Sequence, residues 1–256
     1  MRDLRPKITI LGSCRQDSLA SNFIVSCIRD RLTYPHYTKE IIQAIRYCKG
    51  ELSDGSLPLF AFREGLLHNK KPIKNLLTQE YFDSSLFAIE IASLKQYYFH
   101  GSWLHHLAAE SDYGFYGIED IIKIIQPINE VESDILKIKD LLAPKPFFII
   151  SHFYTQKGSQ RYELAKLLRQ ICSSHSIPFF DPVAWFNLVG GIDLFLVDEQ
   201  VISHYTSEGH RMCGYFYSLF IYKYFGLTSA SFLRRKSSRM FTCLKANLYK
   251  CRDSIN

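Results

Sequence analysis

Gly12-Ser13-Cys14 follows the apolar run Ile8-Thr-Ile-Leu and precedes a helix-type pattern, so Ser13 and Cys14 fall on a strand-to-helix turn. Such a turn aims short side chains out of the carboxyl edge of a sheet. The backbone N–H groups of the helix's first turn can then hold a developing negative charge. A nucleophile for acyl chemistry belongs there. The second feature comes much later, in the polar loop Val197-Asp-Glu-Gln-Val-Ile-Ser-His-Tyr-Thr-Ser-Glu-Gly-His210. His204 stands on that loop just before a helix. A histidine distant in sequence is what an acyl-transfer dyad needs, since only the fold must bring the two together. Cys14 suits such a pair better than Ser13. A thiol of pKa about 8.5 becomes largely thiolate after a shift of about one to two units, whereas Ser must lose its proton to a well-oriented base during attack.

Other chemistry-bearing residues are weaker candidates. His152 ends an apolar strand and could line the pocket, the alternative being a buried histidine bonded to backbone. His36 lies on the aromatic turn Tyr34-Pro-His-Tyr, which could be a sugar- or acyl-binding lip or plain core. His105-His106 has no matching ligand cluster in the sequence, and the seven cysteines are scattered without a Cys-x-x-Cys pair. No bound metal and no disulfide are therefore expected. Walker-type and Gly-x-Gly-x-x-Gly phosphate loops are absent.

The elements that must position these residues read as an α/β domain over 1–228. A strand at 7–12 leads into an amphipathic helix over 15–31, and Thr38 caps a second helix that runs to Tyr47 and ends at Gly50. A short strand is expected within 59–68. Residues 84–93 form a strand buried on both faces, interrupted by Glu90. A helical pattern over 117–142 breaks at Pro127, and Glu130, Glu132 and Asp134 suit the start of its second piece. A strand at 144–153, a helix at 159–174, a strand at 177–181 and a helix from Met212 to about Tyr224, capped by Thr206 or Ser207, complete the set. Strands alternating with helices specify a mostly parallel three-layer α/β/α sheet, with sites beyond the carboxyl ends of its strands. Gly12-Ser13-Cys14, Ala92-Ser93-Leu94-Lys95, Ser151-His152-Phe153 and Asp181-Pro182 occupy such ends.

At 256 residues and 47% hydrophobic the chain can bury a large core. The net charge of +6 comes from Arg234, Arg235, Lys236, Arg239, Lys245, Lys250 and Arg252 in a basic tail over 229–256. The body is neutral, so nucleic acid is not an expected partner. That tail, interleaved with Phe232, Leu233, Phe241 and Leu248, could touch an anionic membrane surface or stand as a solvated terminal helix. With no signal-peptide pattern and no long apolar run, the expected location is cytoplasmic, with membrane association through the tail.

The pairing of Gly12-Ser13-Cys14 with a late His204-Tyr-Thr-x-x-Gly209 resembles the SGNH/GDSL hydrolase superfamily. The cysteine at the nucleophile position resembles the branch of WcbI-type polysaccharide-biosynthesis acyltransferases and GSCFA-motif proteins. The resemblance implies a flavodoxin-like topology and acyl transfer or acyl-ester hydrolysis on a carbohydrate or related polar acceptor, with coenzyme A as acyl donor and no tightly bound cofactor. It implies Cys14 as nucleophile and His204 as acid/base. Val201 replaces the family's usual Asp, leaving Asp198 to orient the imidazole. The Gly-x-Asn-Asp block is missing, so Ser13, Arg15, Ser93 and Lys95 are the candidates around the oxyanion and substrate, beside His152 and His36. Two other classes fit the same residues: a non-catalytic glycan- or partner-binding module, and a nucleotide-dependent glycosyltransferase or sulfotransferase.

Overall fold

The computed structural model describes residues 6–32, 34–53, 55–115, 117–198 and 203–227. The basic tail and Val201 lie outside the described residues. In chain order the strands and α-helices are β1 (Lys7–Leu11), β2 (Ile24–Val25), α1 (Ile28–Arg31), α2 (Thr38–Cys48), α3 (Arg63–His68), α4 (Lys74–Asp83), β3 (Leu86–Ile91), β4 (Lys95–Phe99), β5 (Ser102–Trp103), β6 (Ile122–Ile125), α5 (Ile128–Leu142), β7 (Phe147–Ser151), α6 (Gln160–Ser174), β8 (Phe179–Phe180), α7 (Pro182–Asn187), β9 (Leu196–Asp198), β10 (Ser203–Tyr205) and α8 (Ser207–Phe225).

The fold is α/β with a mostly parallel central sheet in the order β2-β1-β3-β7-β8. β1 with β3, β3 with β7 and β7 with β8 are parallel pairs. Numbered among the sheet strands alone, this is the order 2-1-3-4-5 of flavodoxin-like sheets. The strand order reverses between β1 and β3, the place where sheets of this topology commonly take their ligands. Ser13 and Cys14 follow the carboxyl end of β1 there, and Ala92 and Ser93 follow that of β3.

Every residue of β3 and β7 is buried, as a sheet covered on both faces requires. Leu11, Phe87, Ile89 and Ile149 join Ile41 and Ile45 of α2, Leu77 of α4, Ile135 and Ile138 of α5, and Leu168 of α6 in one core cluster. A polar clasp ties α2 to α5 within it. Thr38 Oγ1 lies 2.6 Å and Gln126 Nε2 2.7 Å from Asp134 Oδ2, and Lys39 Nζ lies 2.9 Å from Oδ1. Thr38 is thus the first helical residue, with its hydroxyl spent on α5, and the N-cap position belongs to Tyr37.

Three expected elements take a different form. The stretch read as a helix over 15–31 is a 3-10 helix at Cys14–Ser21, the short strand β2 and the single turn α1. β-branched Ile24 and Val25 join the sheet edge, and pairing outweighs the helical spacing of Leu19, Phe23 and Ile28. Residues 59–68 hold a 3-10 turn and α3 rather than a strand, since a short apolar run does not distinguish the two. Residues 122–125, read as helix, form β6, which pairs antiparallel with β4 in a three-stranded sheet. β-branched isoleucines decide that segment, and α5 begins after Pro127.

By contact, Lys7–Gln16 and Val25–Pro182 form one compact unit, and Asp17–Ile24 with the described residues from Val183 onward form a second. In the second unit β9 and β10 make an antiparallel hairpin leading into α8. Thr206 Oγ1 caps α8 by accepting the Gly209 N–H. The Phe186 ring packs against Phe195, Tyr205 and Phe216. A Cβ on Gly214 would stand 2.6 Å from the Ser18 carbonyl oxygen, so α8 needs glycine there to approach the 3-10 helix. No helix among the described residues is long and apolar enough to cross a membrane.

Candidate active site

Gly12 allows the turn after β1 to lie against β3: a Cβ there would sit 2.6 Å from Glu90 Cβ and 3.0 Å from Glu90 Oε2. That approach brings the Ser13 N–H to Glu90 Oε2 at 2.7 Å. On the other side of β3, the chain leaving β7 places His152 so that Nδ1 is 2.7 Å from Glu90 Oε1. Both side chains are buried. Burial pushes the Glu90 carboxyl toward neutrality, but the hydrogen bonds from His152 and Ser13 prevail and hold its pKa below the usual carboxylate range. Burial lowers the His152 pKa despite the carboxylate that favours its charged form, with Arg15 and Arg161 adding to the lowering. The pair is therefore an ionised Glu90 accepting from a neutral His152. With its proton on Nδ1, His152 carries a lone pair on Nε2, and Nε2 is buried with no hydrogen-bond partner.

Glu90 is the residue that sequence reasoning passed over. An acid inside a strand buried on both faces is the signal that marks it, because a buried carboxylate needs donors. His152 bonds to that carboxylate, not to backbone.

The sheet unit also holds most of the remaining candidates. Cys14 is half-buried and in no disulfide. Ser13 is only 2% exposed, its Oγ has no hydrogen-bond partner, and its N–H is committed to Glu90. Ser13 is thus poorly placed as a nucleophile or as an N–H oxyanion donor. Arg15 is buried, its guanidinium 5.0 Å from the centre of the Phe153 ring. His36, on the turn before α2, accepts through its carbonyl from Ala92 and Ser93 N–H, which fastens it to the carboxyl end of β3. Burial pushes its imidazole down to about 3. Ser93 Oγ accepts the Lys95 N–H at 2.9 Å, closing the turn into β4, and the Lys95 side chain is exposed. Asp181, at the end of β8, is held by Arg169.

His204 and Asp198 belong to the second unit. His204 is half-buried at the centre of β10, with Val197 as its Cα partner, and Asp198 pairs with Ser203 in the same hairpin. His204 lies near His210, whose Nδ1 is 2.9 Å from Ser18 Oγ.

His105 and His106 also gain a neighbour that the sequence does not bring near them. The His36 ring centroid lies 4.7 Å from that of His105 and 5.1 Å from that of His106. The expectation that this dipeptide has no matching ligand partner is corrected: the loop after β5 folds back onto the turn before α2.

No protein-family model matches the chain, and no curated protein is similar to it. Among solved structures, a mutant acetyl-xylooligosaccharide esterase from Geobacillus stearothermophilus is similar at 12% identity and a TM-score of 0.37, covering 86% of this chain and 94% of the esterase. A catalytic mutant of an acetylxylan esterase from the same organism is similar at 13% identity and a TM-score of 0.37, covering 86% of this chain and 95% of the esterase. Likenesses this remote carry no argument about chemistry, and the functional reading rests on the site itself.

Proposed function

We propose that this chain moves an acyl group through a thioester on Cys14, from an ester or thioester donor to a hydroxyl acceptor or to water. The observation that carries the reading is the Glu90–His152 pair beneath the Gly12–Cys14 turn: an ionised carboxylate, a neutral imidazole, and an Nε2 lone pair with no partner. This is the arrangement of an oriented base. Cys14, half-buried on the same turn, is the more accessible of the two candidate nucleophiles.

In this reading Cys14 Sγ attacks the acyl carbonyl as its proton passes to His152 Nε2, and Glu90 stabilises the imidazolium. The N–H groups of Cys14 and Arg15 face the oxyanion, and the leaving alkoxide or thiolate takes the proton from His152. The acceptor O–H then attacks the thioester, gives its proton to His152, and Cys14 leaves as thiolate and is reprotonated. Nε2 makes no hydrogen bond within the protein, and in this reading the thiol closes onto it to pass its proton. His204, supported by its place on the late hairpin, is the second candidate for the proton. A carbohydrate acceptor and a coenzyme A donor belong to the same proposal.

The test compares wild type with Cys14→Ala, His152→Gln and His204→Ala, using acetyl-CoA and p-nitrophenyl acetate as donors and mass spectrometry of the Cys14 peptide. The expected result is acetylation at Cys14, no turnover in Cys14→Ala, and a loss of about a hundredfold or more in His152→Gln. A loss in His204→Ala with none in His152→Gln moves the proton role to His204. A folded Cys14→Ala protein with wild-type turnover overturns the proposal.

A further inference from the structure

The three imidazoles of His36, His105 and His106 pack side by side, the rings of His105 and His106 having centroids 4.2 Å apart. One ring nitrogen from each lies within 4.8 Å of the other two. His105 is buried, and its Nε2 has no hydrogen-bond partner. Its Nδ1 accepts the Leu107 N–H at 3.2 Å, so the proton of the neutral ring sits on Nε2, a buried donor facing no acceptor. The rings pack against one another, and burial favours the neutral form of all three. Neutral imidazoles converging from two loops are ligands for a borderline-soft cation.

We propose that His36, His105 and His106 together bind one divalent first-row transition ion, zinc being the reference, through one ring nitrogen each. Zinc–nitrogen bonds of about 2.0–2.1 Å place tetrahedral ligand nitrogens about 3.4 Å apart, so a separation of 4.8 Å closes by about 1.4 Å on loading. Three histidines leave a fourth position open for water or a substrate oxygen. Binding at His105 Nε2 moves its proton to Nδ1, and the long contact with the Leu107 N–H gives way. His36 is within electrostatic reach of Glu90, His152 and Arg15, so the ion adds positive charge beside the candidate active site. The inference is independent of the Cys14 reading, because its test measures binding.

The experiment takes the full chain, stripped with chelator, and titrates it with zinc chloride by calorimetry and with cobalt chloride by visible absorption. An amide spectrum follows Leu107. Because His105 is buried, the primary variants are His106→Gln and His36→Gln, with His175→Gln as the control on a histidine outside the cluster. The expected result is one ion per chain, four-coordinate cobalt bands without thiolate charge transfer, a shifted Leu107 amide, and affinity weakened about tenfold or more in both primary variants but not in the control. Three results overturn it: no uptake by folded wild type, wild-type affinity in both primary variants, or cobalt spectra dominated by thiolate.

Discussion

Glu90 and His152 meet across the β3–β7 pair at 2.7 Å, and the second oxygen of the same carboxylate takes the Ser13 N–H at 2.7 Å. One buried side chain thus fixes both the tautomer of a histidine and the path of the turn that carries Cys14. Removing the carboxylate leaves two buried donors without an acceptor. Glu90→Ala is expected to destabilise the protein by about 3–5 kcal/mol. Glu90→Gln should cost about 1–3 kcal/mol, since an amide oxygen can serve one donor but its NH2 then faces the other. Urea titration of the three proteins checks the order.

The same pair makes stability fall in acid. The folded pKa of His152 lies below the unfolded value of about 6.5, so its contribution is complete above that pH. Below it the unfolded chain binds a proton that the native protein refuses, and stability drops by up to about 1.4 kcal/mol per pH unit until the native imidazole also protonates. Glu90 acts with the same sign below its unfolded value of about 4.3. The charged groups that act on His152 are Glu90, which opposes its shift, and Arg15 and Arg161, which reinforce it; the His36 imidazole, also within electrostatic reach, is kept neutral by burial. Unfolding free energy measured from pH 7.5 to 5 should therefore decline in wild type and be flatter in His152→Gln. Equal slopes would show that His152 titrates alike in both states.

The sheet was legible because β1, β3 and β7 are near-continuous apolar runs. The segment after Cys14 was not, since Leu19, Phe23 and Ile28 sit at helical spacing while Ile24 and Val25 answer to a neighbouring strand. The site was legible only as strand ends. Glu90 was visible as an interruption, but what it does depends on two partners delivered by other strands. His36 could not be joined to His105 and His106 from spacing, because a loop closure brings them together.

Gly12 carries a steric prediction. With Glu90 Cβ only 2.6 Å from where its own Cβ would be, Gly12→Ala must push the turn away from β3 or shift Glu90. Either costs about 1–3 kcal/mol and loosens the Ser13–Glu90 hydrogen bond. A fall in melting temperature, with faster exchange of the Ser13 amide, is the expected outcome. An unchanged protein would mean that the turn does not need this approach.

The clasp between α2 and α5 is a stability device away from the chemistry. Asp134 is buried and accepts from Thr38, Gln126 and Lys39, so Asp134→Ala strands several donors at once. A loss of about 2–4 kcal/mol in denaturant unfolding is expected, with Cys14 labelling by a thiol reagent unchanged in the folded protein.

Ser13 and Cys14 are adjacent, and their variants should behave in opposite ways. Ser13 Oγ is buried and bonds to nothing, so Ser13→Ala removes a polar atom that burial penalises and leaves the N–H to Glu90 intact. Stability should be unchanged or higher, and acyl transfer retained. Cys14→Ser keeps a hydroxyl at the half-buried position but replaces a thiol by a group that is not acidic near neutral pH, so turnover should collapse while the fold persists. If Ser13→Ala is the inactive protein and Cys14→Ser the active one, the nucleophile is the serine, and His152 must serve it from within the buried turn.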